Sequence, residues 1–232
     1  MMRWIDPVDG MISPARFIPV AETSGLIGPL GEWALEEACR QAQAWVAQGL
    51  PAISMAVNVS LHQFLLTDIV GCTRRALECS GLPAHQLELE ITESALAERP
   101  EEALKVLQQL QALGLRLAID DFGTGYSSLA HLKRFPIDLL KIDQGFIRDI
   151  PQSADDMAIS RAVMAMGHSM GLQVLAEGVE TPEQLAFLRQ HGCDFYQGYL
   201  CSKPLPAQAL TALLQADQAR WQQVQEAGAF DI

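Results

Sequence analysis

Basic residues are scarce in this chain: 16 lysines and arginines stand against 28 aspartates and glutamates, a net charge of -12. The pI is near 4.7. That balance argues against a nucleic-acid polymer or an anionic membrane as partner, because either attracts a basic face. It leaves room for an anionic ligand reached through metal cations. Cysteine is also sparse. Cys39, Cys72, Cys79, Cys193 and Cys201 contain no Cys-x-x-Cys pair and leave one over, which suits reduced thiols in a cytoplasm rather than a disulfide framework. The five histidines (His62, His85, His131, His168, His191) share no ligand spacing, so no zinc site is expected. No signal peptide opens the chain and no apolar run is long enough for a bilayer. These absences predict a soluble cytoplasmic domain, or the cytosolic part of a membrane-anchored protein, with no span of its own.

What is present is a regular alternation. At 232 residues the chain can bury a large core, and no composition shift marks an internal boundary, so one domain over 1–232 is expected, with 223–232 as a tail. Ser13-Pro14 starts a short helical turn that Gly25 ends. Residues 29–48 carry Leu30, Trp33, Ala34, Cys39, Ala42 and Val46 at helical spacing, stopped by Gly49. Strands are then expected at 53–59, 86–91, 115–120, 139–142, 172–176 and 195–197. Helices are expected at 68–80, 100–113, near 127–134, at 154–170, from Thr181, and at 207–222. Thr181-Pro182-Glu183-Gln184 is a capping box. Mostly apolar strands in series with helices imply a parallel α/β sheet, either doubly wound or a (β/α)₈ barrel. Taking residues 1–4 as a strand gives about seven units, one short of a closed barrel.

The polar residues are arranged more tellingly than the apolar ones. Asn58, Glu90, Asp120 with Asp121, Lys141, Glu177 and Gln197 each stand at or just past a strand's carboxyl end, the edge on which parallel α/β folds build their sites. The alternative, solvated loops, would scatter polar residues along both edges. Residues 117–129 concentrate the pattern. An apolar strand runs into adjacent carboxylates, Asp120 and Asp121, then into Gly123 and Gly125, with Tyr126, Ser127 and Ser128 beyond. Neighbouring carboxylates repel unless something positive sits against them. Four carboxylates and the amide oxygen of Asn58 form a hard-oxygen set suited to Mg²⁺, Mn²⁺ or Ca²⁺. A shared aspartate pair can bridge two such ions in phosphodiester hydrolysis. Lys141 could hold or deprotonate the attacking water, or neutralise the cluster. Asp143 could hold Lys141 or cap a helix start.

Seven ordered blocks make the chain similar to the EAL domain family, the cyclic di-GMP phosphodiesterases. They are Ser13-Pro14-Ala15-Arg16-Phe17-Ile18-Pro19, Val57-Asn58-Val59-Ser60, Leu89-Glu90-Ile91-Thr92-Glu93-Ser94, and the Asp120-to-Ser128 loop, followed by Leu140-Lys141-Ile142-Asp143, Ala176-Glu177-Gly178-Val179-Glu180, and Tyr196-Gln197-Gly198-Tyr199 with Lys203-Pro204. The resemblance implies a TIM-type (β/α)₈ barrel with one antiparallel strand, hydrolysing cyclic di-GMP to linear pGpG with Mg²⁺ or Mn²⁺, calcium being inhibitory. It implies metal ligands Asn58, Glu90, Asp120 and Asp121, with Lys141 and Glu177 positioning and activating water. Glu93 would anchor the loop after Asp121, through which members of this family dimerise. Arg3, Gln197 and Asp143 would support the site and hold substrate.

One departure stands against these matches. The Glu-Ala-Leu that names the family would lie just before Arg3-Trp4, and Met1 stands at its leucine. The expectation is therefore a fragment of a longer protein, or a mis-started reading frame, lacking the first antiparallel strand and one metal-binding glutamate. Attached sensory or GGDEF domains would complete the longer protein. The alternative function is a catalytically silent cyclic di-GMP receptor. Receptors of this family usually lose several of Asn58, Glu90, Asp121, Lys141 and Glu177, and all five are present here.

Overall fold

Residues 2–123 and 129–226 are described by a computed structural model. The chain opens with a small antiparallel hairpin, β1 (Trp4–Asp6) and β2 (Gly10–Ile12), with Trp4 opposite Ile12. Asp6 shapes the turn by accepting from the backbone N–H groups of Val8 and Asp9. Residues 1–4 were expected to lead a strand–helix unit; Trp4 instead pairs within this hairpin, outside the main sheet. Two helices follow, α1 (Pro14–Thr23) and α2 (Ile27–Ala47), and Trp4 meets Phe17 of α1 edge-on.

The main body then alternates. β3 (Met55–Val59), α3 (Leu61–Leu66) and α4 (Ile69–Ser80) precede β4 (Leu87–Thr92), α5 (Glu93–Glu98) and α6 (Pro100–Ala112). β5 (Arg116–Phe122), α7 (Leu129–Leu132), β6 (Leu139–Ile142) and α8 (Ala154–Ser169) come next. β7 (Gln173–Ala176), α9 (Pro182–Gln190), β8 (Phe195–Tyr196) and α10 (Ala207–Glu226) complete it. The strands form one all-parallel sheet in sequence order, β3-β4-β5-β6-β7-β8, each joined to the next through intervening helices. It is a curled, barrel-type α/β sheet. The short helices α3 and α5 were not expected from sequence, because each is a single turn or two and carries too few residues for a helical period to show.

Strand alternation decides which side chains meet. In β4, Leu87, Leu89 and Ile91 point to the helices and are fully buried, while Glu88 and Glu90 point to the concave face. Leu117, Ile119, Leu140, Ile142, Val174 and Ala176 continue the helix-facing layer, closed over by Leu35, Leu96, Leu107 and Leu110. Truncating one such leucine to alanine would cost about 2–5 kcal/mol. The opposite face is polar in layers. Toward the amino ends, Arg116 lies 3.6 Å from Glu88 and donates to Gln173 at 2.6 Å. Burial pushes the Glu88 carboxyl up, against the pull of the Arg116 guanidinium. Toward the carboxyl ends lies the denser cluster described next. α10 meets α2, where Trp45 donates its indole N–H to Thr211 at 2.8 Å.

Candidate active site

Register brings the strand-end residues to one level. Asn58 stands opposite Glu90 across β3 and β4, and Asp120 opposite Thr92 across β4 and β5. The pairing of β5 with β6 shifts between Ile119 and Phe122, a bulge of the kind that re-aims side chains next to sites. Inside that bulge Asp121 adopts a left-handed backbone, φ 53°, a conformation that costs a non-glycine residue about 1–2 kcal/mol. Aspartate bears it better than most because its short polar side chain bonds locally.

Lys141 is the centre. Its Nζ lies 2.7 Å from Glu90, 2.9 Å from Asp120 and 2.7 Å from Glu177, and its side chain is only 3% exposed. Three carboxylates engage the three ammonium protons. Burial works against the charge, but the three acids outweigh it and raise the Lys141 pKa above its ordinary value. The amine therefore stays cationic at neutral pH. Glu90 also accepts from the Asn58 amide nitrogen at 2.6 Å, leaving the Asn58 carbonyl oxygen as its remaining donor atom for a cation.

The acids are unequal. Burial raises the Glu177 carboxyl, aided by the negative charges of Asp120 and Glu90, and wins over its contact with Lys141. Burial likewise raises Asp121, and the adjacent Asp120 and Asp143 charges add to it. Carboxyl oxygens of Asp120, Asp121 and Glu177 all lie within 4.8 Å of one another. Three hard oxygen donors at that separation, two of them only half-buried, could hold a divalent cation such as Mg²⁺ or Mn²⁺.

The supporting residues are placed as follows. Glu93 is buried and accepts from the backbone N–H of Gly123 at 3.0 Å, tying α5 to the segment after Asp121. Residues 124–128, which include Gly125, Tyr126, Ser127 and Ser128, lie outside the described residues. Asp143 caps the 3₁₀ turn Gln144–Phe146 by accepting from Gly145 N–H at 2.8 Å; it neighbours Asp121 rather than bonding Lys141. Gln197 is exposed, and its backbone joins β7 to the loop beyond it through Ala176 and Val179. Arg3 donates to the carbonyl of Met2 and, among the described residues, makes no ion pair with the cluster. Two participants escaped the sequence reading. Glu88 and Arg116 underlie the cluster, and the signal that could have found them is the Leu-Glu-Leu-Glu alternation of β4.

The fold and this edge define a barrel-type α/β protein with a lysine-centred carboxylate site. The chain belongs to the EAL domain family, which matches residues 1–204. It is 47% identical to the cyclic di-GMP phosphodiesterase NbdA of Pseudomonas aeruginosa over 216 residues, 93% of this chain and 28% of that protein. To the cyclic di-GMP phosphodiesterase PdeR of Escherichia coli it is 43% identical over 209 residues, 90% of this chain and 32% of the relative. Among solved structures, the PaMucR phosphodiesterase in complex with c-di-GMP superposes with a TM-score of 0.87 at 46% identity, covering 90% of this chain and 84% of that one. The chain thus spans about a third or less of the two curated relatives' lengths.

Proposed function

We propose that this chain is a cyclic di-GMP phosphodiesterase domain, hydrolysing cyclic di-GMP to linear pGpG by in-line attack of water at a two-metal site. The observation that carries the reading is the Lys141 ammonium held by Glu90, Asp120 and Glu177, with Asp121 beside them. Asn58, Glu90, Asp120 and Asp121 would hold the cations. Mg²⁺ or Mn²⁺ bound there would supply Lewis acidity and lower the pKa of water, and by the resemblance calcium would inhibit. Lys141, paired with three carboxylates, is assigned to positioning rather than to proton removal. It orients the carboxylates and offsets their repulsion. Proton removal from water falls to Glu177, whose raised pKa brings it closer to neutrality and makes it a stronger base than an exposed glutamate. Glu93 holds the backbone at Gly123, and so the strained Asp121 two residues earlier. Gln197, Arg3 and Asp143 are assigned to support of the site and of the bound dinucleotide.

The same reading extends to context. The resemblance favours a homodimer meeting through the segment after Asp121, in the cytoplasm. Sensory or GGDEF domains in a longer protein fit the small share of each relative that the chain covers. No helix among the described residues is long and apolar enough to cross a membrane. Product analysis tests the activity. Linear pGpG formed with Mg²⁺ or Mn²⁺, and lost on chelation, supports it; tight binding of cyclic di-GMP without product would replace it with the receptor reading.

A further inference from the structure

Gln184 uses one side chain for two purposes. Its Oε1 accepts from the backbone N–H groups of Glu180 at 2.7 Å and Thr181 at 3.0 Å, and Thr181 Oγ1 accepts from Gln184 N–H at 3.3 Å. That is the capping box of α9, and a glutamate serves it as well as a glutamine. The other end does what no glutamate can. Its Nε2 donates to the carbonyls of Ile147 and Arg148, each at 3.1 Å. The residue is 3% exposed, and both donors and both acceptor positions of the amide are filled.

The two segments it joins flank the site. Ile147 and Arg148 end the turn that follows Lys141 and Asp143, and Glu180 and Thr181 follow Glu177 closely. The turn is pinned a second time, where the fully buried Ser160 of α8 donates to the Phe146 carbonyl at 3.1 Å. It also touches the chain on both sides. A β-carbon on Gly123 would lie 2.8 Å from the Phe146 ring, and one on Gly178 would lie 2.6 Å from the Gln144 β-carbon. The turn is therefore wedged between the residue two past Asp121 and the residue next to Glu177.

We propose that Gln184 is a positioning residue for this site, a strap that fixes the Glu177 segment against the turn after Lys141 and, through Phe146, against the Asp121 segment. The claim about turnover rests on the phosphodiesterase reading; the claim about the strap does not. Gln184→Glu keeps the acceptors for Glu180 and Thr181 but sets a carboxylate against two carbonyls. Thr181→Ala weakens the same capping box and leaves the strap intact. We expect kcat for cyclic di-GMP to fall about 10- to 100-fold in Q184E with KM little changed, since small misplacements of reacting groups cost that much. T181A should keep kcat within about twofold while losing thermal stability, as a cap substitution does. Amide hydrogen exchange provides the readout independent of activity. Exchange across 143–148 should rise about tenfold in Q184E and stay unchanged in T181A, because local opening follows loss of local hydrogen bonds. Should Q184E fail to fold, Gln184→Leu, uncharged and of similar size, is read in the same two ways. Equal kcat losses in Q184E and T181A, or unchanged exchange across 143–148 in the Gln184 variant, would overturn the proposal. If the wild-type chain forms no pGpG, the phosphodiesterase reading fails and the exchange comparison still decides the strap.

Discussion

Replacing Lys141 with methionine removes a charge and keeps most of the volume, so its effect reads the electrostatics of the cluster with little cavity term. In the native fold the ammonium stands within 2.9 Å of three carboxylates, and Glu90, Asp120 and Lys141 are each 7% exposed or less. Without it, Glu90 and Asp120 remain buried and Glu177 partly buried, with no other cation paired to them among the described residues. Removing one partner of a buried ion pair costs about 3–5 kcal/mol. For a chain of this size each kcal/mol shifts the melting temperature by about 2–4 °C, so K141M should melt roughly 6–20 °C below wild type at pH 7 in EDTA. The deficit should depend on pH. The raised Lys141 pKa means that its stabilisation is complete below the ordinary lysine value and is lost only at more alkaline pH. The raised Glu177 and Asp121 pKa values mean that their ionisation costs stability above the ordinary carboxylate range. Lowering the pH toward 5 should therefore narrow the gap between K141M and wild type, as the stranded acids take up protons. Saturating Mn²⁺ should raise the K141M melting temperature above its value in EDTA; a ligand at 100 times its Kd contributes about 2.7 kcal/mol. Circular dichroism melts across pH, with and without Mn²⁺, provide the assay. A K141M melting temperature within about 1 °C of wild type in EDTA at pH 7 would refute the reasoning.

Other substitutions separate charge repulsion, anchoring and close packing. Asp121→Asn tolerates φ 53° as well as aspartate and removes a carboxylate repelled by Asp120 and Asp143. It should raise the melting temperature slightly and abolish turnover, and a lower melting temperature would count against repulsion among these acids. Glu93→Ala strands the Gly123 N–H; losing a hydrogen bond to a charged group costs about 1.5–3 kcal/mol, and turnover should fall while far-ultraviolet circular dichroism is unchanged. Wild-type kinetics in E93A would remove its anchoring role. Gly198→Ala would place a β-carbon 2.1 Å from the Val179 carbonyl oxygen and 2.3 Å from its nitrogen. Neither backbone atom can move aside cheaply, so G198A should give little soluble folded protein, and normal expression and melting would contradict the packing described.

The sheet order and most of the site were legible because parallel α/β sheets write their topology into the sequence. Apolar strands ended in a polar residue six times, and the structure places five of those ends, Asn58, Glu90, Asp120, Lys141 and Glu177, in one hydrogen-bonded cluster. The strand at 139–142 and the capping box at Thr181 have the same bounds in both readings. The opening was misjudged for a local reason. A strand at residues 1–4 was expected to lead into the helix at 29–48, yet Trp4 and Ile5 are 49% and 72% exposed in a separate hairpin whose turn is set by Asp6 hydrogen bonds that no periodicity reveals. The left-handed Asp121 and the donors of Gln184 were hidden for another reason. A bulge and a side chain that reaches 36 residues back to Arg148 depend on tertiary register rather than on local spacing.

The most direct test of the account is the Glu177→Gln variant, assayed for cyclic di-GMP binding and for pGpG formation in saturating Mg²⁺ or Mn²⁺. The account predicts cyclic di-GMP affinity close to wild type, with turnover reduced by about 10²–10⁴-fold, the contribution of a positioned general base. Turnover within about threefold of wild type would contradict the assignment of proton removal to Glu177.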